Sequence, residues 1–131
     1  MRDHLDALEQ RTRRFAIDAV RLTAALRDQL HLVDICRQLG RASTSVSANQ
    51  RAMRRARSMN EFAAKLQIVN EEIDEAALWL EMLDELAQPA SERLRALKSE
   101  ALELRAIFAK ARATTREKIA KGQRGKETKG Q

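Results

Sequence analysis

Between residues 1 and 121 this chain contains one glycine, Gly40, and one proline, Pro89; the remaining three glycines fall in the last ten residues. A body with so little turn punctuation has few places to reverse direction, and long helices are the natural way to fill it. Aromatic residues make up only 3% of the sequence and charged residues 34%, so the core must be built from Leu, Ile, Val, Met and Ala, which suits helix packing better than a β-sandwich. At 131 residues there is material for one continuous core, not two.

Apolar positions repeat with alternating gaps of three and four, the signature of a helix seam. The first seam runs Leu5, Leu8, Thr12, Phe15, Ala19, Leu22, Leu26, and the second Leu32, Ile35, Leu39, Ala42, Val46, Asn49, Met53, Ala56. The third runs Met59, Phe62, Leu66, Val69, Ile73, Ala76, Leu80, Leu83, Ala87, and the fourth Leu94, Leu97, Ala101, Leu104, Phe108, Ala111. These predict an all-α fold, a single antiparallel up-down-up-down four-helix bundle over 1–120, with helices at about 4–29, 32–57, 59–87 and 90–120. Ser58 followed by Glu61 forms a capping box that starts the third helix, and Pro89 is placed in the first turn of the fourth. The break near Leu30 and His31 is marked only by a reset of the apolar phase. The second helix has poor local propensity, with Gly40 and the run Ser43, Thr44, Ser45, Val46, Ser47, so tertiary packing has to hold it, and Asn49 in its seam is expected to pin register.

Two features exceed what a lone bundle needs. The third helix carries a second apolar stripe, Ile68, Leu78, Trp79, Met82 and Leu86, which one core cannot absorb together with the seam and which predicts a subunit interface. Charge is also partitioned: residues 1–30 carry +1, 31–58 carry +5, 59–88 carry −7 and 89–131 carry +7, for a net charge of +6. Arg37, Arg41, Arg51 and Arg55 fall on one stripe of the second helix, and Arg95, Lys98, Arg105, Arg112 and Arg116 line the fourth. Residues 121–131 read as a basic, disordered tail. These cations are the candidate nucleic-acid surface, most suited to RNA or DNA recognised by shape and phosphate contact. The competing reading is a structural or protein-interaction scaffold in which basic stripes pair with Glu61, Glu71, Glu75 and Glu85 across helices or subunits.

Convergent chemistry is scarce. There are two histidines, no tyrosine and one cysteine, Cys36, which reads as a core or flanking residue. Asp28 and His31 supply an acid-x-x-His spacing once, where a di-iron bundle needs it twice. No catalytic, cofactor or metal residues are assigned, and no enzymatic activity is expected. The longest stretch without Asp, Glu, Lys or Arg, Ala42 to Gln50, is far short of the ~20 residues that span a bilayer. Residues 1–30 lack the apolar region of a secretory signal, so a cytoplasmic location without membrane partners is expected.

The stretches "RTRRFA" at Arg11–Ala16, "QLGRASTSVSANQ" at Gln38–Gln50, "RSMNEFAAKLQI" at Arg57–Ile68 and "EEIDEAALWLEML" at Glu71–Leu83 together resemble the four-helix-bundle proteins encoded by intervening sequences in bacterial 23S ribosomal RNA genes. The likeness covers about residues 8–86; the fourth helix matches in character only. The resemblance implies a ring-like homopentamer without known enzymatic activity. It also implies kinship with the accessory variability protein of diversity-generating retroelements, a basic protein that binds a reverse transcriptase and nucleic acid. By that likeness Ser43, Ser45, Asn49, Phe62, Leu66, Trp79 and Leu80 are packing positions. Arg51 stands where the family usually has an acidic residue and Glu71 where it usually has a lysine, which together look like a charge pair with its polarity exchanged.

Overall fold

The computed structural model describes the backbone of residues 2–89 and 91–129 and the side chains of 4–89 and 91–125. Four helices, α1 (Arg2–Ala25), α2 (Val33–Arg54), α3 (Met59–Leu86) and α4 (Glu92–Lys129), follow one another around a single core, and no strand occurs among the described residues. α1 packs on α2, α2 on α3 and α3 on α4, while α1 and α4 close the ring more sparsely. Short connections make each neighbour antiparallel to the last.

The seams read from the sequence form the core. Leu8, Thr12, Phe15, Ala19, Leu22 and Leu26 are buried on α1 and the turn after it. On α3 the buried set is Leu66, Val69, Ile73, Ala76, Leu80 and Leu83, and on α4 Leu94, Leu97, Ala101, Leu104 and Phe108. On α2 the seam is offset. Cys36, Leu39, Ala42, Val46 and Met53 are buried, but the place expected for Asn49 is taken by Gln50, which is 0% exposed. Asn49 is half-buried and turns along its own helix, its Nδ2 donating to Ser45 O at 2.9 Å. Cys36, Ser43 and Gln50, spaced seven apart, are all buried, so the face that α2 turns to the core is offset to one side of the expected seam along its whole length.

The ends of the elements depart from expectation where local signals were weak. α1 stops at Ala25, and the chain crosses a turn and a short 3-10 helix, Leu30–Leu32, before α2. Fully buried Leu32 anchors that crossing. Gln29 ties it to the α3–α4 turn: its Nε2 donates to Gln88 O at 2.9 Å and its Oε1 accepts from Gln88 N at 3.3 Å. Two backbone groups left over by helix termination are thus met by one side chain. Ser58 caps α3, its hydroxyl accepting from Glu61 N at 3.0 Å, but Glu61 turns to Arg57 at 3.7 Å. Pro89 lies in the turn rather than in the first turn of α4, which is capped by Ser91 accepting from Leu94 N at 3.3 Å.

α4 continues beyond the bundle. With 38 residues against 24 in α1, it is about 57 Å long against about 36 Å, and its last turns occupy the stretch 121–129 that was expected to be disordered. Residues 121–125 are exposed, so this extension continues the backbone hydrogen bonding of α4 without tertiary burial. α2 retains Gly40 in its interior at a cost of about 1 kcal/mol relative to Ala. A Cβ placed there would meet nothing within 4 Å, so the bundle itself does not require a glycine at this position.

Two substitutions test the account. Ser58→Ala should lower unfolding free energy by about 1 kcal/mol through loss of the α3 cap. Leu80→Ala, opening a cavity at a fully buried seam position, should cost about 2–5 kcal/mol. Urea unfolding followed by circular dichroism reads both.

Candidate nucleic-acid interface

Antiparallel connectivity decides which charges become neighbours. The start of α1, the end of α2, the start of α3 and the end of α4 share one end of the bundle. Ion pairs confirm the arrangement: Arg54, in the last turn of α2, reaches Asp6 and Glu9 near the start of α1. At mid-height Arg41 on α2 pairs with Glu72 at 3.1 Å and with Glu75 on α3. Arg105 pairs with Asp74 at 3.1 Å and Lys98 with Asp84 at 3.2 Å between α4 and α3. Arg11 crosses from α1 to Glu100 at about 3.0 Å and to Glu103 on α4.

The nine basic candidates therefore divide. Arg41, Lys98 and Arg105 are held by acids of α3, and Arg37 leans on Asp34 one turn away at 2.9 Å. Glu75 receives Arg41 and the indole Nε1 of Trp79, and the Arg41 hydrogen bond holds its carboxyl below the usual carboxylate range. Arg51, Arg55, Arg95, Arg112 and Arg116 form no ion pair among the described residues. Arg95 stands apart near the start of α4. Arg51 and Arg55 on α2, and Arg112, Arg116, Lys118 and Lys121 on the second half of α4, lie toward the same end of the bundle on helices that stand diagonally across it. Here the basic side chains also offset the partial negative charge at the end of α2.

Two shallow grooves run into this end. One of about 400 Å³ between α1 and α2 is lined by Glu9, Arg13, Thr44, Ser47 and Arg51. The other, about 360 Å³ between α2 and α3, is lined by Arg51, Arg55, Glu61 and Lys65. Arg51 belongs to both. Lys65 and Arg13 were not among the candidates; Lys65 is the one base in the otherwise acidic segment 59–88, and that isolation was the available signal.

The opposite end is of different character. Glu81, Asp84, Glu85 and Glu92 gather there beside exposed Leu30, Leu78, Met82 and Leu86. The second stripe of α3 divides: Leu78, Met82 and Leu86 are 43%, 38% and 44% exposed, whereas Ile68 and Trp79 are half-buried and Trp79 packs against the core. Trp79 was expected to share the exposure of its stripe; its indole is wide enough to lean back onto the seam while its N–H meets Glu75 at 3.3 Å.

Among the described residues no group of three or more His, Cys, Asp or Glu is placed to hold a metal. Burial pushes the Cys36 thiol up, which disfavours the reactive thiolate. Among the described residues no helix is long and apolar enough to cross a membrane.

The fold and these residues can be set beside known proteins. A crystal structure of a protein of unknown function from the S23 ribosomal protein family of Bacteroides thetaiotaomicron is similar, with a TM-score of 0.72 and 25% identity over 79% of this chain and 96% of that one. No curated protein matches. Residues 6–110 match the family described as 23S rRNA-intervening sequence protein, a span that includes most of α1, all of α2 and α3 and the first half of α4. The chain belongs to the 23S rRNA-intervening sequence protein family.

Proposed function

We propose that this protein is a non-enzymatic, self-associating bundle that binds nucleic acid through its basic end. The observation that carries the reading is that Arg51 and Arg55 at the end of α2, and Arg112, Arg116, Lys118 and Lys121 on the second half of α4, lie toward one end of the bundle with no acid paired to them among the described residues. Phosphates are the chemistry such a cluster takes, because neutralising them releases condensed counterions. The groove between α1 and α2 beside Arg51 offers Ser47 as a further hydrogen-bond donor to a backbone. With only 3% aromatics there is little to stack bases on, which favours structured RNA or duplex DNA over single strands read by sequence. Its working place is the cytosol.

The self-association half of the proposal rests on Leu78, Met82 and Leu86, whose exposure leaves about 25 cal/mol per Å² of apolar area unrealised. The ring of five implied by the resemblance is the form it would take. Several basic ends held together would act at high effective concentration on one polyanion. A scaffold without nucleic acid is the second reading, favoured by the capture of Arg41, Lys98 and Arg105 within the bundle.

Three outcomes are expected. Electrophoretic shift of structured RNA or duplex DNA should occur in ~50 mM salt, with a log–log salt slope of about −0.7 to −0.9 per phosphate contact. The double substitution Arg51→Gln and Arg55→Gln should weaken binding to all sequences alike and remove about two contacts from that slope, whereas Arg37→Gln should change little. Light scattering at micromolar concentration should give a mass well above 14.9 kDa. Absence of any shift with the intact protein would put the scaffold first.

A further inference from the structure

We propose that the part of α4 that runs past the bundle is a docking helix for the major groove of duplex DNA, with Gly122 and Gly125 on the side that enters it. The proposal rests on the nucleic-acid reading above; it names the form of nucleic acid and the element that holds it. Asn70 of α3 donates to the Phe108 carbonyl of α4 at 3.1 Å, and the two helices are antiparallel. Counted on from that contact, α4 passes Met59, the first residue of α3, at roughly residue 119 and continues as helix to Lys129, about 15 Å further. Between residues 116 and 129 the chain carries Arg116, Lys118, Lys121, Arg124, Lys126 and Lys129 against only Glu117 and Glu127. Residues 121–125 are all exposed, so no face of that stretch is committed to the bundle.

The arrangement around the helix favours a duplex groove. Thr114, Lys118, Lys121, Gly122 and Gly125 are exposed and fall within about 100° of one another, and neither Glu117 nor Glu127 lies in that arc. Lysines on this face meet phosphates, and the glycines between them let the helix backbone come close to a partner. Glycine is disfavoured in a helix interior, and a Cβ at either position would meet nothing of this chain within 4 Å, so the fold itself gives no reason for it. An α-helix with its side chains is about 10–12 Å across, a width that the major groove of B-form DNA, about 12 Å, admits. The major groove of A-form RNA is too narrow to take it. A helix running unbroken out of a bundle is a recurrent way to reach such a groove. Arg51 and Arg55, toward the same end of the bundle, are then available to phosphates beside it.

Fluorescence anisotropy with a short DNA duplex and an RNA duplex of the same sequence tests this. The unaltered chain should bind the DNA at least tenfold more tightly. Gly122→Leu together with Gly125→Leu should weaken DNA binding by tenfold or more, whereas Gly122→Ala with Gly125→Ala should keep most of it. Circular dichroism should show at least the original helix content in both pairs, because Leu and Ala are better helix formers than Gly. Deleting residues 121–131 removes four bases and one acid and should flatten the log–log salt slope on DNA by about 3 to 4. An RNA duplex bound as tightly as the DNA, a Leu pair that binds like the unaltered chain, or an unchanged slope after the deletion overturns the groove docking alone. An unaltered chain that binds neither duplex overturns it together with the nucleic-acid reading.

Discussion

Burial of four apolar seams against one another is the constraint from which the rest of this structure follows. Each seam occupies one side of a helix, so none can be buried alone, and chain segments as short as those at 55–58 and 87–91 allow only antiparallel neighbours. With the seams inward, every other side chain is assigned a height and a direction. Charges separated by decades of sequence then become contacts: Arg54 meets Glu9, and Arg11 meets Glu100.

The consequence is a bundle that differs at its two ends. The same connectivity that sets the basic end of α2 and the basic half of α4 toward one end of the bundle brings the acidic end of α3 beside the turn holding Leu30 and His31. Acids of α3 are spent on Arg41, Lys98 and Arg105 in the middle and toward the acidic end, leaving the cations beyond them uncompensated. Exposed ion pairs of this kind contribute little stability individually, about 0–1 kcal/mol. Their larger effect here is on what remains: cations without an ion-pair partner among the described residues toward one end and an apolar, acid-rimmed ridge toward the other.

The S23-family structure from Bacteroides thetaiotaomicron shares this fold at 25% identity, so the same framework is reached with most residues different. Arg51 lies between two grooves, with no ion pair to an acid among the described residues.

The periodicity of Leu, Val, Ile and Ala determined the helical class, the number of helices and most of the buried residues, because a seam repeating every three to four residues has only one secondary structure that buries it. Ser58 gave the start of α3 for the same local reason. What the sequence left undetermined depended on distance in space. The exchange of Gln50 for Asn49 in the core followed from how α2 is rotated against its neighbours, which also buries Cys36 and Ser43, and Trp79 folded back onto the seam because a neighbouring surface was there to receive it. The end of α1 needed the Gln29–Gln88 contact across 59 residues. A stripe of arginine reads alike whether its members face water or acid. Only the tertiary structure, by pairing acids of α3 with Arg41, Lys98 and Arg105 but not with Arg51 or Arg55, separated the cations engaged within the bundle from those without an ion-pair partner among the described residues.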